Sequence, residues 1–413
     1  MGQPSQSTAL RPGTWGGPRS ITEHCAAVRD ALAVRTPGGE DLRLAHAGGR
    51  SLAAAQTAPL PLPPFDNSQM DGFAVASDGT PGRFAVRETI PAGRVPPPLE
   101  PGTAAPIMTG APIPAGADAV VPVEDTPAGT FDVTAVDLPA VPAGRFVRTA
   151  GSDVRPGEEV LPAGTRLGPA ALGLLAALGR TSVTVIARPR VLVCTGGDEL
   201  VPPGEPLSPG RIHDANTDLL SSQLAALGAE VCATRLVDDS PGSFLCGLRG
   251  DIAAHDPDLV VTSGGISAGR FEVVRLALAA EPEVRFGGVA MQPGGPQGLG
   301  VLGGTTPILC LPGNPVSTWV SAVLLLQPAL AAVWGTVPLR ERRARLSEET
   351  ARLPTKSQVR RAVHRDGDSG AIDLLPGTSS HLLAEAARAQ VLALVPPGER
   401  PLPAGSEIDV VDL

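Results

Sequence analysis

Between residues 190 and 335, short apolar runs of β-prone residues alternate with stretches of helical period. Three of those runs pass straight into glycine-rich loops: Thr195-Gly-Gly-Asp-Glu, Thr262-Ser-Gly-Gly-Ile-Ser-Ala-Gly269 and Leu311-Pro-Gly-Asn-Pro315. This alternation limits the possible folds more than any other feature of the chain. Val191-Leu-Val-Cys, Val231 to Val237, Leu259-Val-Val and Ile308-Leu-Cys-Leu read as strands, and helices are expected near 217–227 and 242–254. A βαβ alternation of this kind buries both faces of a largely parallel sheet beneath helices. Ligands of such open sheets bind beyond the carboxyl ends of the strands, where glycines let backbone N–H groups approach an anion closely. Glycine after one strand can be a tight turn and nothing more. Three such loops on one edge point to a small molecule that carries phosphate.

The flanking sequence reads differently. Residues 1–19 are expected to be disordered, and 20–60 together with 146–188 form a helical and extended scaffold domain. Residues 61–145 form a small β domain of short pieces broken by Pro and Gly, 189–336 the α/β domain, and 337–413 a C-terminal β domain. The expected fold class is therefore α/β plus β, a multidomain chain around a central doubly wound, largely parallel α/β domain. A length of 413 residues supports several cores.

Composition excludes several functions. A net charge of −9 argues against nucleic acid as a partner. The longest apolar stretch, 316–334, is interrupted by Ser, Gln and Pro, so no membrane span is expected. Cys25, Cys194, Cys232, Cys246 and Cys310 are scattered without metal-ligand or disulfide spacing, which suits a reducing, cytoplasmic location. Lys356 is the single lysine, so any site that needs an ammonium group has one possible donor.

Two more segments carry chemistry. Asp198 and Glu199 place carboxylates beside the first glycine loop, an arrangement that suits Mg²⁺ between carboxylate and phosphate oxygens; Asp198 capping a turn is the alternative. Phe65-Asp-Asn-Ser-Gln-Met-Asp-Gly-Phe73 is polar between aromatic ends, and Ile107-Met-Thr-Gly-Ala-Pro112 sets Thr109 beside Gly110.

Taken in order, the segments 65–73, 107–112, Ser263-Gly-Gly-Ile-Ser-Ala-Gly269 and Leu311-Pro-Gly-Asn-Pro-Val-Ser317 resemble the molybdopterin molybdenumtransferase family, which is related to the gephyrin E domain. The resemblance runs from about residue 20 to the C-terminus. It implies a homodimer that takes adenylylated molybdopterin and molybdate as substrates and releases AMP with the help of Mg²⁺. By position it assigns catalytic roles to Asp71, Thr109, Asp153, Glu199, Asp239 and Glu272, with Glu199 and Asp239 on the metal side. The molybdopterin-type ligand would be held by Thr195, Gly196, Gly197, Ser263, Gly264, Gly265, Ser267, Arg270, Pro312, Gly313 and Asn314.

The chain departs from the family pattern at three places. Where the family has lysines in a K-P-G-K-P segment, this chain has Gln292-Pro-Gly-Gly-Pro296, without an ammonium group at Gln292 or Gly295. The first glycine loop carries one glycine more than T-G-D-E-L. After the second loop, Arg270 follows directly and Glu272 stands where Asp is expected, which makes Arg270 a substitute cation. The first expectation is a working transferase; the alternative is a weakened paralogue that binds a molybdopterin-like ligand as carrier or regulator.

Overall fold

The computed structural model describes residues 14–413 except 239, 268, 270 and 271. The chain divides into two compact units, one made of residues up to Glu40 with Ile186–Leu413, the other of Asp41–Val185.

The first unit is built on a six-stranded sheet in the order Glu230–Val237, Arg190–Gly196, Leu259–Ser263, Thr306–Leu311, Pro296–Leu302, Arg285–Gly288. The first four strands are parallel, and the last two continue the sheet antiparallel. Helices Asn216–Leu227 and Pro241–His255 follow their strands as the apolar periods predict. One face buries Val191, Val193, Leu220 and Leu224 with Leu309 and Leu311; the other buries Leu192, Cys194, Phe244 and Leu248 with Val260 and Ile308. Such double coverage explains why these strands are apolar throughout instead of alternating.

The apolar run 315–334 is one helix, 72% buried over its most apolar window, with a π-helical segment at Ala322–Leu326. Its C-terminal half packs on helix Ile21–Leu32, which presents Val28 and Leu32 to Leu326, Leu330 and Trp334. That helix, grouped with 146–188 in the sequence reading, thus joins the α/β core because its buried face matches this one. Residues 14–19, expected to be disordered, lie along the end of the sheet: Thr14 and Arg19 bridge Phe286 and Val289, and the Trp15 indole donates to Gly288 O at 3.1 Å.

The C-terminal strands form a closed five-stranded barrel. Ser357–Arg365 pairs with Asp368–Leu374, which pairs with Arg340–Leu346, then Glu407–Asp412, then Val391–Val395, which returns to Ser357–Arg365. Met291–Gln292 adds to Ser357–Arg365.

The second unit holds a five-stranded sheet in the order Ala119–Pro122, Gly72–Val75, Thr103–Ile107, Gly82–Val86, Ala135–Leu138. A separate core of Ala47, Leu52, Leu167, Leu175, Val183 and Val185 gathers around helix Pro169–Ala177.

Candidate functional site

Three adjacent parallel strands of the first unit end side by side, and each ends in one of the glycine loops. The loops touch one another. A Cβ on Gly264 would lie 2.7 Å from Gly196 O, and one on Gly313 would lie 3.1 Å from Gly264 Cα. Gly264 also has a φ of 96° and Gly265 of 66°, a backbone region that side chains disfavour. Close approach and backbone angle together make glycine the residue these positions require.

Beneath the loops lies a polar clamp. The buried Asp214 carboxylate accepts from Thr195 Oγ1 at 2.8 Å, Thr217 Oγ1 at 2.6 Å and Asn216 N at 2.9 Å. Asn216 Nδ2 donates to Gly313 O at 2.7 Å, so the clamp links the first loop to the third. Between the second and third loops, Thr318 Oγ1 donates to Pro312 O at 2.6 Å and lies 3.0 Å from Ser263 Oγ. Buried and paired, these hydroxyls fix the loops instead of pointing outward.

Above the loops opens a cleft of about 720 Å³, and the C-terminal barrel contributes a wall through Thr378, Ser379 and Ser380. That wall is held from below by Arg361, 2% exposed, which donates to Gly377 O at 2.9 Å and Ser379 O at 3.2 Å. Burial lowers the Arg361 pKa from its ordinary value. Asn314 Nδ2 donates to Ser380 Oγ at 2.9 Å, tying the wall to the third loop. Opposite, Gln292, Pro293, Gly294 and Pro296 line the cleft, and Gln297 Nε2 holds their loop through Gly294 O and Ser321 Oγ, both at 2.8 Å.

Of the residues singled out from sequence, Gly196, Gly197, Glu199, Gly264, Gly265, Ser267, Glu272, Pro312, Gly313 and Asn314 line this one cleft. Thr195 and Ser263 do not; both are buried, and their hydroxyls are spent on the bonds above. Glu272 Oε2 accepts from Ser267 N at 2.8 Å, bracing the second loop. Asp198 does not line the cleft, and its main-chain carbonyl accepts from Arg211. Asp238, the neighbour of Asp239, accepts from Ser240 N and Ser243 Oγ at the start of helix Pro241–His255. Asp239 and Arg270 lie outside the described residues.

Asp71, Thr109 and Asp153 belong to the second unit. There Asp71 accepts from Thr109 N at 2.6 Å and Oγ1 at 2.9 Å, and the amide, followed by the hydroxyl, holds its carboxyl below the ordinary carboxylate pKa. Asp153 is exposed.

Sequence reasoning missed His213, Asp214, Asn216 and the 378–380 wall. A signal for the first three was present: Ile212-His-Asp-Ala-Asn is a polar run just ahead of a helical period, where Asp commonly satisfies the helix's first N–H groups.

The charges of the cleft are unbalanced. Among the described residues that line it, Glu199 and Glu272 are the carboxylates and His213 is the one side chain able to carry a positive charge. No cluster of three or more His, Cys, Asp or Glu suited to a metal occurs among the described residues.

The chain matches three family descriptions in succession: MoeA N-terminal region (domain I and II) over residues 19–179, probable molybdopterin binding domain over 192–332, and MoeA C-terminal region (domain IV) over 343–413. It is 41% identical over 411 residues to molybdopterin molybdenumtransferase 2 of Mycobacterium tuberculosis, covering 96% of this chain and 100% of that one. With molybdopterin molybdenumtransferase of Synechococcus elongatus it shares 35% over 401 residues, 91% and 94% of the two chains. Among solved structures it is similar to the molybdopterin biosynthesis moea protein of Pyrococcus horikosii, with a TM-score of 0.77 at 28% identity over 96% of this chain and 99% of that one.

Proposed function

The chain belongs to the MoeA family of molybdopterin molybdenumtransferases, and from that premise we propose that its cleft takes adenylylated molybdopterin and molybdate and releases AMP with the molybdenum cofactor. The protein is a transferase of molybdenum cofactor biosynthesis. The observation that carries the substrate reading is the convergence of the three touching glycine loops on one cleft wide enough for a ligand of that size.

In this reading, the backbone of the second and third loops receives the pterin phosphate. Glycine is required there because a Cβ would occupy the space the loops leave each other. Asn314, held by Ser380, closes the cradle on one side. The hydroxyls of Ser317, Ser379 and Ser380 offer neutral donors to the molybdate oxyanion in a region without lysine. Buried Arg361 holds the segment that carries Ser379 through the carbonyls of Gly377 and Ser379.

The donor chemistry of Glu199 and Glu272 fits Mg²⁺, a hard cation commonly held by one or two carboxylates together with substrate phosphate. Bound there, the ion would neutralise charge on the adenylate phosphates. Asp71 and Thr109, in the second unit, keep the catalytic role that the resemblance assigns them by position. We also propose a cytoplasmic homodimer; the five free cysteines suit a reducing compartment.

The test is molybdate-dependent release of AMP from adenylylated molybdopterin by the purified chain with Mg²⁺ present. Turnover is expected, and Glu199→Gln should lower kcat by about a hundredfold or more. Binding without release would favour a carrier or regulatory paralogue instead.

A further inference from the structure

We propose that His213, through its Nδ1, contributes a positive charge to the cleft, so that this protein grips the phosphate of its nucleotide ligand more tightly when that imidazole is protonated. The inference rests on the reading of the cleft as an adenylate site.

His213 lines the cleft from strand Ile212–His213, which pairs with Leu200–Val201. Ile212 N donates to Glu199 O at 2.8 Å, and Asp214 N donates to Val201 O at 2.9 Å. These bonds root the segment on the first glycine loop and on the buried Asp214 clamp. The imidazole Nε2 lies 2.9 Å from Glu205 O. A carbonyl oxygen only accepts, so Nε2 carries the hydrogen in either charge state, and Nδ1 is the nitrogen that changes. Among the described residues no protein group bonds Nδ1. When neutral, it offers a lone pair that repels an oxyanion; when protonated, it donates a charge-assisted bond to one.

The surroundings leave this role to His213. Arg211, on the same segment, directs its guanidinium to Asp198 O. Asp214 is engaged with Thr195, Thr217 and Asn216. His381, beyond the barrel wall, has its Nδ1 2.7 Å from Ser379 Oγ. Arg275 directs its guanidinium to Ser267 O at 3.2 Å, and Glu199 and Glu272 on the lining are acidic, so among the described lining residues His213 is the side chain that can add positive charge.

The experiment measures Kd for AMP by calorimetry between pH 5.5 and 8.5 on the full chain and on His213→Gln and His213→Lys. The ligand's own ionisation is common to all three proteins and cancels in their ratios. His213→Gln is expected to bind about tenfold more weakly than the parent at the acidic end, the worth of one charge-assisted hydrogen bond, with the ratio falling toward one at the alkaline end. His213→Lys is expected to keep parent-like acidic affinity and to hold it as pH rises. A glutamine-to-parent ratio that does not change with pH, in a chain that turns over, overturns the inference alone. Absence of AMP binding at every pH together with absence of AMP release overturns the adenylate reading as well.

Discussion

Gly294 and Gly295 are neighbours with opposite tolerance for a side chain. At Gly294 φ is +99° and a Cβ would lie 2.5 Å from Met291 Cε, whereas at Gly295 the nearest atom would be Met291 O at an ordinary 3.4 Å, with no left-handed φ. Gly295→Lys should therefore fold with nearly parental stability. By placing an ammonium group beside the loop it is expected to tighten AMP binding by about tenfold, less at high salt. Gly294→Lys should instead lose about 1–3 kcal/mol of stability. Thermal midpoints and calorimetric Kd values of the two variants check the contrast. The same scale shows what sequence conveys about a residue. Gly264 and Gly265 were legible because their left-handed backbone angles favour glycine, and Gly313 because a Cβ there would press on Gly264. Thr195 and Ser263 were not, because neighbouring positions at a strand end face opposite sides and nothing in the letters says which hydroxyl turns inward.

Among elements, strand Ser357–Arg365 matters to the cleft through one side chain. Arg361→Met keeps the length of the side chain and removes both bonds to the 377–379 carbonyls. It is expected to cost about 3 kcal/mol and to weaken AMP binding at the same time, whereas a purely structural role would lower the thermal midpoint alone. The 378–380 wall escaped the sequence reading because its loop is bound to the third glycine loop only in three dimensions. Helices Asn216–Leu227 and Pro241–His255 were legible because apolar residues recur at helical spacing on their buried sides. Strands Arg285–Gly288 and Pro296–Leu302 were not, since their glycines read as breakers. The structure shows why glycine belongs there: a Cβ on Gly298 would lie 2.5 Å from Phe286 Cε1, so the antiparallel extension packs only without one.

At the scale of the whole molecule, the two units have separate cores, and the first is interrupted in sequence by the second. Gly38 O accepts from Ala187 N at 2.8 Å, so the two crossing points are adjacent. Replacing residues 41–185 with a short Gly/Ser linker is expected to leave a chain that folds and binds AMP within a few-fold of the parent, measured by calorimetry. Stability of the first unit should also depend on pH through His24, which stacks on Trp15 and whose burial, with Arg19 nearby, lowers its pKa to about 4. Between that value and the unfolded value near 6.5 the unfolded chain holds the extra proton. Stability is therefore full above the upper value and falls by about 3 kcal/mol as pH drops to the lower. His24→Phe should flatten that fall, as urea midpoints at pH 7 and pH 5 would show. The pairing of helix Ile21–Leu32 with residues 326–334 has a consequence for synthesis. The helix leaves the ribosome well before its partner, and its apolar face finds its cover only after residues 326–334 have been translated. The inserted unit can complete its own cores in the meantime, so the nascent protein carries an uncovered greasy helix beside a finished domain, a form that chaperones should recognise and that premature termination would leave permanently exposed.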